Sequence, residues 1–178
     1  MTEEVRDKAQ GSVFKFAFRW GSIIGFFTLV YYLTGFYTGW DKSLYFNDVY
    51  FFVEIAMIAW MIVTYRKENE LEYVKFSRIM LIGFYASLII AGFYTLYFFL
   101  RMERLDTMFF QTYFSQVLTM IKEQFNIDYS KAVTPQMNTL FKASFLFSLY
   151  ISSIISNMIY TLLLAAFMSF NQRIYKKQ

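Results

Sequence analysis

The sequence predicts an all-α, polytopic membrane protein with four transmembrane helices and one extracytoplasmic amphipathic helix. Three observations predict it. The 178 residues are 57% apolar and 23% aromatic but only 17% charged, whereas ordinary soluble chains carry about 45–50% apolar and about 25% charged residues. The apolar excess lies in long runs. No charged residue occurs from Trp20 to Trp40, from Ile79 to Leu100 or from Ala143 to Phe170, and Val49 to Tyr65 holds only Glu54. Each run is close to the ~20 residues that a helix needs to cross about 30 Å of hydrocarbon. Lys and Arg gather at the edges of these runs, as they do in membrane proteins.

The elements follow in order. Residues 1–14, with Glu3, Glu4, Arg6, Asp7 and Lys8, form a polar N-terminus, and residues 15–172 form one four-helix transmembrane domain. The first span, about residues 20–40, is bracketed by Trp20 and Trp40, with Lys15 and Arg19 one turn apart before it and able to reach the headgroups. A cleaved signal peptide is the competing reading, but the run is too long for such a segment and no small-residue cleavage site follows it. Inside the span Gly21, Gly25, Thr28, Tyr32, Gly35 and Gly39 recur at helical spacing. Such a thin face suits close helix contact, because lipid gives helices no hydrophobic reason to associate.

Asp41, Lys42 and Ser43 make a short turn into the second span, about residues 47–65, for which Asn47 is the predicted N-cap and Asp48 the favourable first-turn acid. A polar loop over 66–78 leads to the third span, about 79–100, where Gly83, Ser87, Ala91 and Thr95 form a second packing ridge. Within residues 102–142, Leu105, Phe109, Phe110, Tyr113, Phe114, Val117, Leu118 and Ile121 repeat at helical period opposite polar residues, which predicts an amphipathic helix of about five turns. Thr134-Pro135 reads as the start of the last helix. That helix contains the span at about 143–170 and ends before a basic tail, 173–178. It carries two adjacent rows, Ser144, Ser148, Ser152, Ser156 and Ser153, Asn157, Thr161, Ala165, Ser169, and so is expected to be the core member of the bundle.

With four spans, both termini share a side with the 66–78 loop, and that side holds eleven of the 17 Lys and Arg residues. The positive-inside rule then places both termini in the cytoplasm and the amphipathic segment outside.

The absences narrow the chemistry. With no Cys and no His, there is no thiolate nucleophile, disulfide, haem-ligating histidine, Ser-His-Asp triad or His/Cys zinc site. Glycine-rich phosphate loops and nucleophile-elbow motifs are missing too. No cofactor, metal or nucleic-acid partner is expected, since the basic residues flank apolar runs.

Glu54 is the one acid well inside an apolar run, about 10 Å along its helix. An ionised carboxylate at that depth is costly, so it is expected to be neutral, paired or turned to a wet cavity. Asn47, Tyr50 and Glu54 share a helical face, and Asn157 on the last helix is a natural partner. These four make the candidate intramembrane polar site. It reads either as a ligand or coupling site or as a buried hydrogen-bond anchor. Asp48 and Glu54 do not read as a catalytic pair, because six residues turn them to different faces. Arg101 and Arg104 are candidate contacts for lipid phosphate, although Glu103 and Asp106 lie among them.

Taken together, Phe16 to Gly21 entering a helix with Gly25, Tyr65-Arg66-Lys67 at the exit of the second span, Phe76 with Gly83, Leu105-Asp106-Thr107-Met108-Phe109, and Thr134-Pro135 resemble the four-span Bacteroidota membrane proteins grouped as domain of unknown function 4199. The likeness covers about residues 13–172. Thr107 stands where that family has Pro, Ser77 where Gly is common, and serines replace glycine in the last helix. The resemblance implies an inner-membrane location and no established catalytic activity. It also implies association with a glycosyltransferase of the polyprenyl-phosphate type.

The leading functional expectation is therefore a non-enzymatic accessory or scaffold subunit. It would bind membrane lipid and another integral membrane protein, such as that glycosyltransferase, or its own copies. Gly21, Gly25, Gly35, Gly39, Gly83, Ser87, Ala91, Ser148, Ser152 and Ser156 would form its packing or partner faces. The alternative is a small transporter or lipid-binding protein that uses Glu54.

Overall fold

The computed structural model describes the backbone of residues 3–69, 74–125 and 135–175, and side chains over 13–69, 74–124 and 138–168. Thr134, Lys131, part of the 66–78 loop and the end of the basic tail lie outside the described residues. The chain forms α1 (Glu3–Thr38), a 3-10 turn (Trp40–Lys42), α2 (Phe46–Glu68), α3 (Phe76–Leu100) with a π turn at Arg101–Leu105, α4 (Phe109–Phe125) and α5 (Pro135–Tyr175). Four segments are long and apolar enough to cross a membrane: Val13–Thr38, Phe46–Glu68, Phe76–Leu105 and Asn138–Met168. By length and composition this is an all-α, multi-pass membrane protein. Side chains such as Phe26, Trp60, Phe147 and Phe167 are largely exposed on its outside, where lipid rather than water is the favourable neighbour.

Two boundaries differ from the sequence reading. The helix of the first span begins at Glu3, so residues 3–14 of the polar segment are continuous with it, and it stops at Thr38, short of Trp40. The stop is Gly39, whose left-handed φ of 72° ends the helix without the Cβ penalty that other residues incur. Nothing lies within 4 Å of the place a Gly39 Cβ would occupy. Gly39 is thus a helix terminator and not part of a packing face. In the second span, Tyr45 rather than Asn47 is the N-cap residue and makes no side-chain cap bond, while Asp48 sits in the first turn as expected.

The packing order follows from small residues. α1 and α3 run parallel, with Gly21 against the Ala86 backbone and Gly25 under the Phe93 ring. α3 and α5 run antiparallel, with Gly83 against Thr161 and the Tyr150 hydroxyl donating to the Leu88 carbonyl at 3.3 Å. These two pairs approach most closely. α2 contains no glycine and stands off behind Ile58, Met61, Ile62 and Tyr65, which fill the space towards its neighbours.

The bundle is therefore centred on α3, which corrects the expectation for the last helix. The membrane window of α5 is 17% buried, that of α3 39%. The reason is that α3 carries small residues on two sides, Ala86 towards α1 and Gly83 towards α5, so two helices can approach it.

Ion pairs mark the two ends. Arg19 grips the carboxylate of Glu68 through contacts of 2.6 and 2.8 Å. At the other end Arg101 meets Asp41 at 3.2 Å. On the same side Tyr31, Tyr32, Phe46, Tyr50, Tyr94 and Tyr97 form a second, aromatic core. There the Tyr32 ring lies 5.0 Å from that of Tyr50 and 5.1 Å from that of Tyr97. Not all of the aromatic excess is lipid-facing; this part of it glues α1, α2 and α3.

Candidate functional site: a polar cleft between α2 and α5

Because α2 stands off and α5 leans on α3, the α2–α5 side of the bundle is incompletely closed. A cleft of about 410 Å³ lies there. Asn47 and Asp48 are exposed at its rim, at the end of the molecule that carries the α1–α2 turn. Its floor is buried: Glu54 is 6% exposed, Tyr50 7% and Asn157 2%.

Helical spacing assembles the site. Asn47, Tyr50 and Glu54 occupy one face of α2 at three- and four-residue steps, and Ser153 and Asn157 occupy one face of α5. Tyr32 from α1 and Tyr94 from α3 complete the wall. All four residues of the predicted polar site thus line one cleft.

The floor is tied by hydrogen bonds. The Tyr50 hydroxyl donates to Glu54 Oε1 at 2.8 Å and lies 2.7 Å from Thr28 Oγ1. The Thr28 hydroxyl in turn donates to the Ile24 carbonyl at 2.9 Å. From α5, the Asn157 side chain lines the same cleft, and its Nδ2 donates to the Ser153 carbonyl at 3.0 Å. Asn157 Oδ1 is buried and has no hydrogen-bond partner. A group so placed carries a desolvation cost of roughly 1–3 kcal/mol until something donates to it.

The sequence reading missed several members. Thr28 and Tyr32 were legible only as part of the α1 packing row, and Tyr94 carried no signal of its own. Asp48 does share the cleft with Glu54, despite the angular offset between them on α2, because the cleft is wide enough to take in both faces.

Other predicted sites fall elsewhere. Gly21, Gly25, Gly35, Gly83, Ser87 and Ala91 are buried between helices, with Gly35 under the Phe46 ring. The row Ser148, Ser152, Ser156 does not pack within the chain. Ser148 and Ser152 are exposed, and Ser152 and Ser156 edge the cleft. The row that packs on α3 is the neighbouring one, through Asn157, Thr161 and Ala165.

Arg101, a candidate lipid-phosphate contact, makes its contacts within the protein: besides Asp41 it donates to the Tyr97 hydroxyl at 3.2 Å and stacks 4.3 Å over the Phe109 ring and 5.4 Å over Phe36. Arg104 is exposed. A second hollow, about 440 Å³ and strongly apolar, lies between α4 and α5 among Phe110, Phe114, Leu118, Phe141 and Phe145. Among the described residues no group of three or more acidic side chains is placed to hold a metal ion.

Comparison with known proteins adds the lineage. No curated protein and no solved structure matches the chain. A family model described as "Protein of unknown function (DUF4199)" matches residues 19–171, from the arginine that pairs with Glu68 through all four spans. The chain therefore belongs to the DUF4199 family.

Proposed function

We propose that this protein is a non-enzymatic membrane receptor or carrier for a small polar ligand, held in the cleft between α2 and α5. The observation that carries the reading is the convergence of Glu54 and Asn157 from two helices on the floor of one cleft. Buried polar groups inside a membrane are expensive, and they persist in evolution mainly where they face partners, water or a ligand. A pure hydrogen-bond anchor needs no cavity beside it and leaves no buried amide oxygen without a donor. The positive-inside distribution supports an inner-membrane orientation with cytoplasmic termini, which opens the cleft towards the extracytoplasmic side.

A second reading has its own observation. Ser148 and Ser152 lie exposed among Phe147, Ile151 and Ile155, on a shallow groove of the least buried span. Small polar residues at four-residue spacing suit a partner helix better than lipid. This favours an accessory subunit, for which a membrane glycosyltransferase or a second copy of the chain is the candidate partner.

Native mass spectrometry of the protein extracted in mild detergent separates the two. The ligand reading predicts a small-molecule adduct on the wild type that is lost in Asn157→Leu. A stoichiometric membrane protein, released by Ser148→Leu and Ser152→Leu, supports the accessory reading. A bare monomer that is identical for all variants contradicts both.

A further inference from the structure

We infer that the cleft selects a primary ammonium group, carried by a free small amine or by the ethanolamine headgroup of a lipid. This rests on the ligand-binding reading above and adds the chemical class of the ligand.

Hydrogen-bond arithmetic in the floor is the first ground. Three contacts run in series: Glu54 to Tyr50, Tyr50 to Thr28, and Thr28 to the Ile24 carbonyl. Tyr50 and Thr28 supply one hydroxyl hydrogen each. Two hydrogens serve three contacts, so the chain is complete when Glu54 carries its own proton and one donor short when Glu54 is ionised and takes Tyr50's hydrogen. An N–H donor arriving at Glu54 frees the Tyr50 hydrogen for Thr28, which keeps its own for Ile24.

The second ground is independent and lies on the other helix. Asn157 is 2% exposed, its Nδ2 is committed to the Ser153 carbonyl, and its Oδ1 accepts from nothing. This too is a vacancy for a donor. A ligand that brings only acceptors, such as a carboxylate or phosphate, leaves both deficits in place.

Charge and ring chemistry point the same way. The lining includes the acids Glu54 and Asp48 but neither Lys nor Arg. Four tyrosines, Tyr32, Tyr50, Tyr94 and Tyr160, are also in the lining, and aromatic rings suit a cation in a partly desolvated site. A neutral polyol supplies donors but does not offset the cost of the Glu54 charge. An ammonium group supplies three donors and the opposite charge together.

The test uses three molecules of nearly equal size and different charge: ethanolamine, ethylene glycol and glycolate. Each is titrated into the purified full-length protein at neutral pH by calorimetry. Ethanolamine is expected to bind at least about tenfold more tightly than ethylene glycol, a modest figure for one desolvated charge pair, and glycolate is expected not to bind. In Glu54→Gln that preference disappears. In Asp48→Asn, a change at the exposed rim that leaves the packed floor intact, ethanolamine affinity falls a few-fold and loses part of its salt dependence.

Equal binding of ethanolamine and ethylene glycol, unaltered by Glu54→Gln, overturns the ammonium assignment and leaves the ligand-binding reading standing. Failure of all three to bind the wild type overturns both. Repeating the titration in nanodiscs of phosphatidylethanolamine and of phosphatidylglycerol identifies the source. Weaker ethanolamine binding in the former shows that the lipid headgroup already occupies the cleft, and equal binding shows a free amine to be the ligand; either outcome supports the ammonium class.

Discussion

Arg101 shows how a charged side chain at the end of a span becomes structural. Its side chain is 18% exposed and that of the paired Asp41 8%, so neither has much water to fall back on if the other is removed. Asp41→Ala is expected to destabilise the protein by about 3 kcal/mol, the usual consequence of leaving one member of a buried pair alone. Replacing both, Asp41→Leu with Arg101→Met, should recover most of that loss. Denaturation of the single and double variants in detergent measures both effects, and equal losses in the single and double variants would show the pair to be unimportant. Residue-scale facts were unevenly legible in the sequence. Glu54 stood out because it interrupts an apolar run, and Asn157 because it is the sole amide in the last one. The environment of Arg101 was not legible, since it depends on Asp41 from a turn 60 residues away and on Phe36 and Phe109 from two further elements.

Among the helices, closeness follows glycine. At Gly83 a Cβ would overlap the Thr161 side chain, so Gly83→Ala must push α5 away from α3. The expected loss is roughly 1–3 kcal/mol, as for other overpacked positions, with partial recovery when Thr161→Ala is added. Thermal unfolding of the two variants checks this, and an unchanged midpoint in Gly83→Ala would mean that the α3–α5 contact is looser than described. Small-residue rows were readable on α1, α3 and α5 by periodicity alone, and those on α1 and α3 do pack. Which row meets which, and which helix is central, is decided by three-dimensional matching. On α5 the sequence offers two adjacent rows of similar character, and only the one with Thr161 and Ala165 meets a neighbour. The other, with Ser148 and Ser152, is left on the outside.

At the scale of the whole molecule, the consequence of that matching is an asymmetric bundle. α1, α3 and α5 form a tightly packed sheet of helices, and α2 covers one side with large side chains. The four spans and their lengths were legible because a bilayer imposes ~20 apolar residues on each. The cleft was not, because it arises from the gap between a helix without glycine and a helix that leans the other way. Yet its polar residues were the ones that composition made conspicuous, which is reasonable: a buried amide and a buried acid are anomalies in an apolar run whether or not the cavity beside them is visible.

The claim on which the account turns is that polar solvent reaches between α2 and α5 as far as the level of Glu54. The chain has no Cys, so single cysteines report without background. Ser153→Cys, in the cleft wall beside Asn157, is compared with Ile159→Cys, which is 49% exposed on the outside of the same helix, for reaction with a membrane-impermeant thiol reagent in intact vesicles. The account predicts that Ser153→Cys reacts from the side of the α1–α2 turn and is shielded by ethanolamine, while Ile159→Cys stays unreactive in lipid. Equal resistance of both cysteines would contradict it.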